Sequence, residues 1–186
     1  MKRFTLLVAM AMLLATFSVV ASAQSLTSGA QTINLNGTLA ESLTVSLSGN
    51  SVNFTFTADS NTNAGSTSVT ATTSWVLKPG RTSVTVDAYF ASAATALTDG
   101  AGNDIPSSAF QISNNGGAYN ALTNSVAFGA ASAGLRLRNL AITGTNKNSS
   151  ATDTMAFNID LSGGTLPQLP AGTYTGTLNI QAQATP

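Results

Sequence analysis

The chain contains no cysteine and no histidine. Without cysteine no disulfide can staple the fold in an oxidising compartment, so stability has to come from burial and strand pairing. Without histidine the commonest metal ligand and the commonest general base are both missing. A Ser-His-Asp hydrolase is thereby excluded, and past the N-terminus Lys78 and Lys147 are the only amines left to activate a serine. Charge is scarce as well, at 8% of residues. The bases Lys78, Arg81, Arg136, Arg138 and Lys147 are scattered, which excludes the clustered cationic footprint of a nucleic-acid binder. The acids Glu41, Asp59, Asp87, Asp99, Asp104, Asp153 and Asp160 read mostly as turn residues rather than as the paired carboxylates of a glycosidase. Helical spacing is nowhere sustained. No enzyme activity and no cofactor are expected.

The N-terminus has the grammar of export. Lys2 and Arg3 precede an apolar run from Leu6 to Val20, which closes on Ala21-Ser22-Ala23, the small-x-small pattern of a signal-peptidase site. The run is shorter than the roughly 20 residues of a membrane-spanning helix. Residues 1–23 are therefore expected to be a cleaved signal peptide, and residues 24–186 a single exported domain carrying five bases against seven acids. With no cysteine after the run, a lipid anchor is not expected.

Past residue 30 the dominant pattern is alternation with period two in Thr- and Val-rich runs broken by Gly, Asn and Ser, the mark of half-buried antiparallel strands. Ile33, Leu35, Leu39, Leu43, Val45 and Leu47 share one parity through Asn36-Gly37, which predicts a long first strand with a glycine bulge rather than a hairpin. Further strands are predicted at 51–57, 68–77, 83–90, 110–113, 125–128, 134–142 and 154–161, with a longer loop over 91–108. Lys78-Pro79-Gly80-Arg81 has the type II turn signature and predicts a hairpin with Trp75 and Phe90 on its two arms. The final run alternates without error from Tyr174 to Thr185, predicting a strand that crosses the whole sheet. Short strands, frequent turns and no helix together predict an all-β, Greek-key, immunoglobulin-like β-sandwich.

Few segments suggest chemistry. Asp99-Gly100-Ala101-Gly102-Asn103-Asp104-Ile105 is like one copy of the glycine- and aspartate-rich calcium repeat, making Asp99, Asn103 and Asp104 candidate ligands. It falls short of the six to eight oxygens calcium takes, and turn geometry explains it equally. Arg136 and Arg138 alternate with Leu135 and Leu137, which places both guanidiniums on one strand face, to bind an anionic partner or to protect an edge. Trp75, Tyr89 and Tyr119 are candidate stacking platforms for a sugar, Trp75 being equally a core tryptophan. Asn36-Gly37-Thr38, Asn53-Phe54-Thr55 and Asn148-Ser149-Ser150 match the glycosylation tripeptide, as chance allows in so Asn- and Thr-rich a chain.

The opening stretch from Thr32 to Val45 and the closing stretch from Leu169 to Ile180, Leu-Pro-Ala-Gly-Thr-Tyr-Thr-Gly-Thr-Leu-Asn-Ile, resemble the two ends of spore-coat-U-type and archaic chaperone-usher pilins. Commoner members carry a cysteine pair near the N-terminal strand, where this chain reads Glu41-Ser42-Leu43. The resemblance implies a sandwich completed by donor-strand exchange, in which an N-terminal extension of one subunit fills a groove in the next. It further implies assembly with other copies or related subunits, a periplasmic chaperone, an outer-membrane usher, and a final location at the cell surface or in a fimbrium. On this reading residues 24–39 supply a donor strand, Ile33, Leu35 and Leu39 are its apolar contacts, and Tyr174, Leu178 and Ile180 line the groove. Two other outcomes stand beside it: residues 33–39 pair within their own sheet to give a closed monomer, or the chain is a secreted carbohydrate- or matrix-binding module.

Overall fold

Period-two alternation becomes hydrogen-bonded pairing over most of the later runs, and fails over 33–41, 51–57 and 174–178. The computed structural model describes residues 26–186, so the expected signal peptide at 1–23 lies outside the described residues. The chain divides into two units, residues 1–38 and 39–186. In the first, residues 26–38 have no regular secondary structure and all are exposed.

The second unit is an antiparallel β-sandwich. Its strands are β1 (Ser42–Leu47), β2 (Asn63–Ala64), β3 (Val69–Val76), β4 (Ser83–Tyr89), β5 (Leu97–Thr98), β6 (Asp104–Ile105), β7 (Phe110–Asn114), β8 (Tyr119–Ala121), β9 (Gly134–Ala141), β10 (Asn148–Ile159) and β11 (Asn179–Thr185). One sheet has the order β1-β3-β10-β7-β8, with β2 also paired to β10. The other runs β11-β4-β9, and β5 and β6 form a separate hairpin. Val69, Ala71, Thr73 and Trp75 of β3 share one parity and are all buried, as are Met155, Phe157 and Ile159 of β10 and Val84, Val86 and Ala88 of β4. Val69, Ala71, Ala88, Met155, Phe157 and Ile159 pack with Ile105, Ile112 and Leu122 into the core. Trp75, Leu77, Val84 and Ile142 form a smaller cluster at one end, where the Trp75 indole donates to the Asn146 carbonyl at 2.8 Å.

Several predicted elements are corrected. Lys78 to Arg81 is a turn, with the Arg81 amide donating to the Lys78 carbonyl at 3.2 Å, but it is no hairpin: β3 and β4 belong to different sheets, so the turn crosses the sandwich. Gly80 lacks the positive φ that a type II turn requires. The loop over 91–108 contains the β5–β6 hairpin, and the strand predicted at 125–128 gives way to β8 upstream. Residues 33–41 and 51–57 form no strand, and the final strand starts at Asn179 rather than Tyr174. Alternation fixes which face a side chain takes, but a strand also needs a partner, and these segments lack one along their length.

A β-bulge overturns the reading of the two arginines. Asp87 of β4 opposes Arg136 of β9, whereas Val86 opposes Arg138, leaving Leu137 as the extra residue. Parity switches at that point. Arg136 turns to the outer face and pairs with Asp87, while Arg138 turns inward, opposite the buried Val86, and reaches the other sheet. There its Nε and Nη2 donate to the two carboxylate oxygens of Asp153 at 2.9 and 3.0 Å. Asn114 Nδ2 donates to the same carboxylate at 3.0 Å and to the carbonyl of the bulged Leu137 at 2.8 Å. Asp87 and Asp153 are fully buried strand residues, not turn residues.

The Asp153–Arg138 fork therefore bolts sheet to sheet where a disulfide is missing. Asp153→Ala leaves an inward guanidinium with only the Thr152 carbonyl as acceptor and takes one of two acceptors from the Asn114 amide. Because Arg138 keeps some contact with water, we expect a loss of about 2–4 kcal/mol in urea unfolding, with the slope unchanged.

Candidate functional site

Where the alternating segments lose their partners, the sandwich is open. β1 and β11 are the edge strands of their sheets and run antiparallel to one another, since Ser42 pairs with Val76 and Thr185 with Ser83 on either side of the same crossover turn. At that end the two edges are pinned together. Arg81 Nε donates to Glu41 Oε1 at 2.8 Å and its Nη1 to the Ala184 carbonyl at 3.1 Å, with Lys78 Nζ 3.9 Å from the Glu41 carboxylate. At the other end, past Leu47 and before Asn179, the edges part.

Between them lies a groove of about 890 Å³. One wall is the segment around Val52, Phe54 and Phe56; the opposite wall runs from Leu169 to Ile180; core residues such as Phe110 and Phe157 form the floor. The three sequence-named residues Tyr174, Leu178 and Ile180 are thus brought together, all half-buried on one wall. Phe54 and Phe56 stack with centroids 6.1 Å apart, and Phe56 meets Tyr174 edge to face across the groove at 6.2 Å.

The wall from 173 to 178 is a strand in all but pairing. Thr175 exchanges both backbone hydrogen bonds with Thr98 of β5, at 2.9 Å each. In extended chain the backbone groups of alternate residues point to opposite edges, so those of Tyr174 and Gly176 face away from β5. Among the described residues they have no backbone partner. Close approach to the β5 hairpin depends on glycine: a Cβ on Gly176 would lie 2.0 Å from the Ala96 carbonyl oxygen. Sequence reading missed Thr98 and Gly176, although a lone glycine inside an alternating run is the signal for such an approach. The Tyr174 hydroxyl donates to the Pro170 carbonyl at 2.9 Å and fixes the bend into this wall. Loss of solvent, and secondarily the Asp99 carboxylate, push that hydroxyl above its ordinary pKa.

The other candidates do not converge. Ile33, Leu35 and Leu39 are 84%, 88% and 79% exposed, unusual for residues of that kind. Trp75, 2% exposed, is a core residue and cannot present a face to a sugar. Tyr89 is on β4 with its ring against Phe128 and its hydroxyl on Gln181, while the half-exposed Tyr119 is on β8 of the other sheet. In the 99–105 loop the Asp99 carboxylate accepts from the Ala101 and Asn103 amides and from the Asn103 side chain, which hold it below its ordinary pKa. In this loop Asp99 and Asn103 satisfy each other, Asp104 belongs to β6, and among the described residues no three or more histidine, cysteine or acidic residues group as metal ligands would. The loop is a self-closed turn that carries Thr98 to the groove wall.

Compared with protein-family models and with curated proteins, the chain matches none.

Two measurements test this geometry. Gly176→Ala drives a methyl into the Ala96 carbonyl, so we expect it to lower stability by about 1–3 kcal/mol, while Gly80→Ala, where an added Cβ meets nothing, leaves the melting temperature near wild type. The hydrogen bond from Arg81 holds the Glu41 carboxyl below its ordinary value. A depressed folded-state pKa contributes stability that is fully present above the ordinary Glu value and is lost as pH falls from there through the lowered folded-state pKa. The difference in stability between wild type and Glu41→Gln should therefore be present at neutral pH and vanish under acid.

Proposed function

We propose that this chain is a non-enzymatic, exported structural subunit of a pilus-like or other cell-surface fibre, and that copies join by β-strand addition. The observation that carries this reading is the groove, which has an apolar floor, a volume of about 890 Å³ and, among the described residues, an unpaired backbone edge at Tyr174 and Gly176. An open apolar groove beside a free strand edge is a template for another strand. The same chain has a segment suited to fill it, in which Ile33, Leu35 and Leu39 are exposed with one parity and no residue from 26 to 40 is charged. Main-chain pairing with Tyr174 and Gly176 would give affinity, and the alternate apolar side chains would set the register.

The occupant we assign is residues 32–39 of a second copy or of a related subunit. On this reading the second unit is a Greek-key, immunoglobulin-like sandwich short of one strand. A periplasmic chaperone and an outer-membrane usher are partners that the sequence resemblance adds. The carbohydrate-binding alternative has less behind it, because its three aromatic platforms share no site.

Purified chain spanning residues 24–186 should form a ladder of multimers that heat collapses to monomer. Leu35→Asp damages the donated segment and Leu178→Asp the groove. Each variant alone should stall as monomer, and an equal mixture should give dimers and stop there. A wild-type chain that stays monomeric at every concentration, or variants that polymerise as wild type does, would overturn the proposal.

A further inference from the structure

We infer that Asn36-Gly37 is a self-modifying site whose conversion retires the N-terminal segment from strand addition. The sequence holds two Asn-Gly dipeptides, Asn36-Gly37 and Asn115-Gly116. An asparagine followed by glycine cyclises readily when both are free, because the glycine backbone nitrogen attacks the side-chain carbonyl and no Cβ stands in its way. The two sites differ in that freedom.

Asn115 is locked. It sits at φ 52 in the turn between β7 and β8, its Oδ1 accepts from the Thr154 amide at 2.9 Å, and its Nδ2 donates to the buried Asp153 carboxylate at 3.3 Å. Its own amide donates to the Thr154 carbonyl at 2.7 Å. The amide that must be attacked and expelled is held at both its atoms, so reaction requires local opening. Asn36 has none of this. Residues 26–40 are all exposed, none of them makes a hydrogen bond among the described residues, and a Cβ built on Gly37 meets nothing within 4 Å.

At Asn36 the Gly37 nitrogen, deprotonated by base, bonds to Cγ, and the Cγ–Nδ2 bond breaks with loss of ammonia. Water then opens the five-membered imide at either carbonyl. One product is aspartate. The other is isoaspartate, in which the chain runs through the side-chain carboxyl carbon and gains one backbone atom. Conversion puts the first negative charge into a neutral apolar segment, and the isoaspartyl form throws Ile33 and Leu35 out of step with Leu39. In a strand such a slip turns side chains to the wrong face. This consequence rests on the assembly reading; the chemistry at Asn36 does not. Pairing in an assembled strand would hold the Gly37 nitrogen and stop the clock, so free subunits age and assembled ones do not.

The test uses the purified chain spanning residues 24–186, aged at mildly acid and mildly alkaline pH, with peptide mass mapping and enzymatic methylation of isoaspartate as readouts. A gain of about 1 Da and methyl acceptance should centre on the peptide holding residue 36. They should rise with pH and proceed about tenfold or more faster than at Asn115. Gly37→Ala should slow conversion at residue 36 without altering the fold. Retention of the Asn36 amide, or equal conversion at Asn115, overturns the site. Aged wild type should lose multimers that fresh wild type forms at the same concentration; equal assembly of converted and fresh chains overturns the consequence. A fresh chain that never assembles defeats the assembly reading alone, since mass mapping still decides the site.

Discussion

A backbone N–H or C=O that leaves water has to find another partner, and this sandwich runs out of strands before it runs out of edge. β3, β4, β7 and β10 are paired on both sides, and at the Arg81 end the two sheet edges are drawn together by a guanidinium that reaches both Glu41 and the Ala184 carbonyl. Beyond Leu47 nothing continues that closure. Phe54, Phe56, Tyr174 and Leu178 are left half-buried around a groove whose floor is the core itself. The geometry of the open side follows from that single shortage.

Holding such a sandwich together without cysteine places the burden on polar groups inside it. The bulge at Leu137 is what makes this workable. By switching the parity of β9 it sends one arginine outward to Asp87 and the next inward to Asp153, so each buried carboxylate has its own cation. Asn114 braces the bulge by donating to the carbonyl of its extra residue, Leu137. An inward Asp153 with no Arg138 would be intolerable, and an inward Arg138 needs the bulge.

Strands such as β3 and β4, and β10 from Thr154 onward, were legible in the sequence because their alternation separates a buried face from a polar one, while β10 from Asn148 to Asp153 was missed. Asp153 shares parity with Met155, Phe157 and Ile159, but a strand predicted only from 154 and the ordinary reading of aspartate as a turn residue both missed it. The bulge was not legible, because Leu135, Arg136, Leu137 and Arg138 alternate perfectly and only the partner strand reveals the extra residue. The crossover at Pro79-Gly80 looked like a hairpin because turn chemistry is local and sheet membership is not. Errors at 33–41, 51–57 and 174–178 have one common cause. Each segment has the pattern of a strand but, among the described residues, pairs at one isolated bridge at most, so the sequence reading failed at the groove walls and at the segment suited to enter them.

That coincidence bears on why the exposed segment is so poor in charge. A strand edge is normally protected by lysine, proline or an inward charge, and residues 26–40 have none of these. Protection would block self-association, but it would equally block entry into an apolar groove, where a buried charge without a partner is costly. A neutral segment keeps entry open and gives up the protection. It also leaves Asn36 and Gly37 exposed, because a chain with nothing to pair to has nothing to hold its amide groups still. Exposure of Ile33 and Leu35 and chemical vulnerability at Asn36 are therefore two results of one condition, an unpaired backbone, and a partner strand would remove both together.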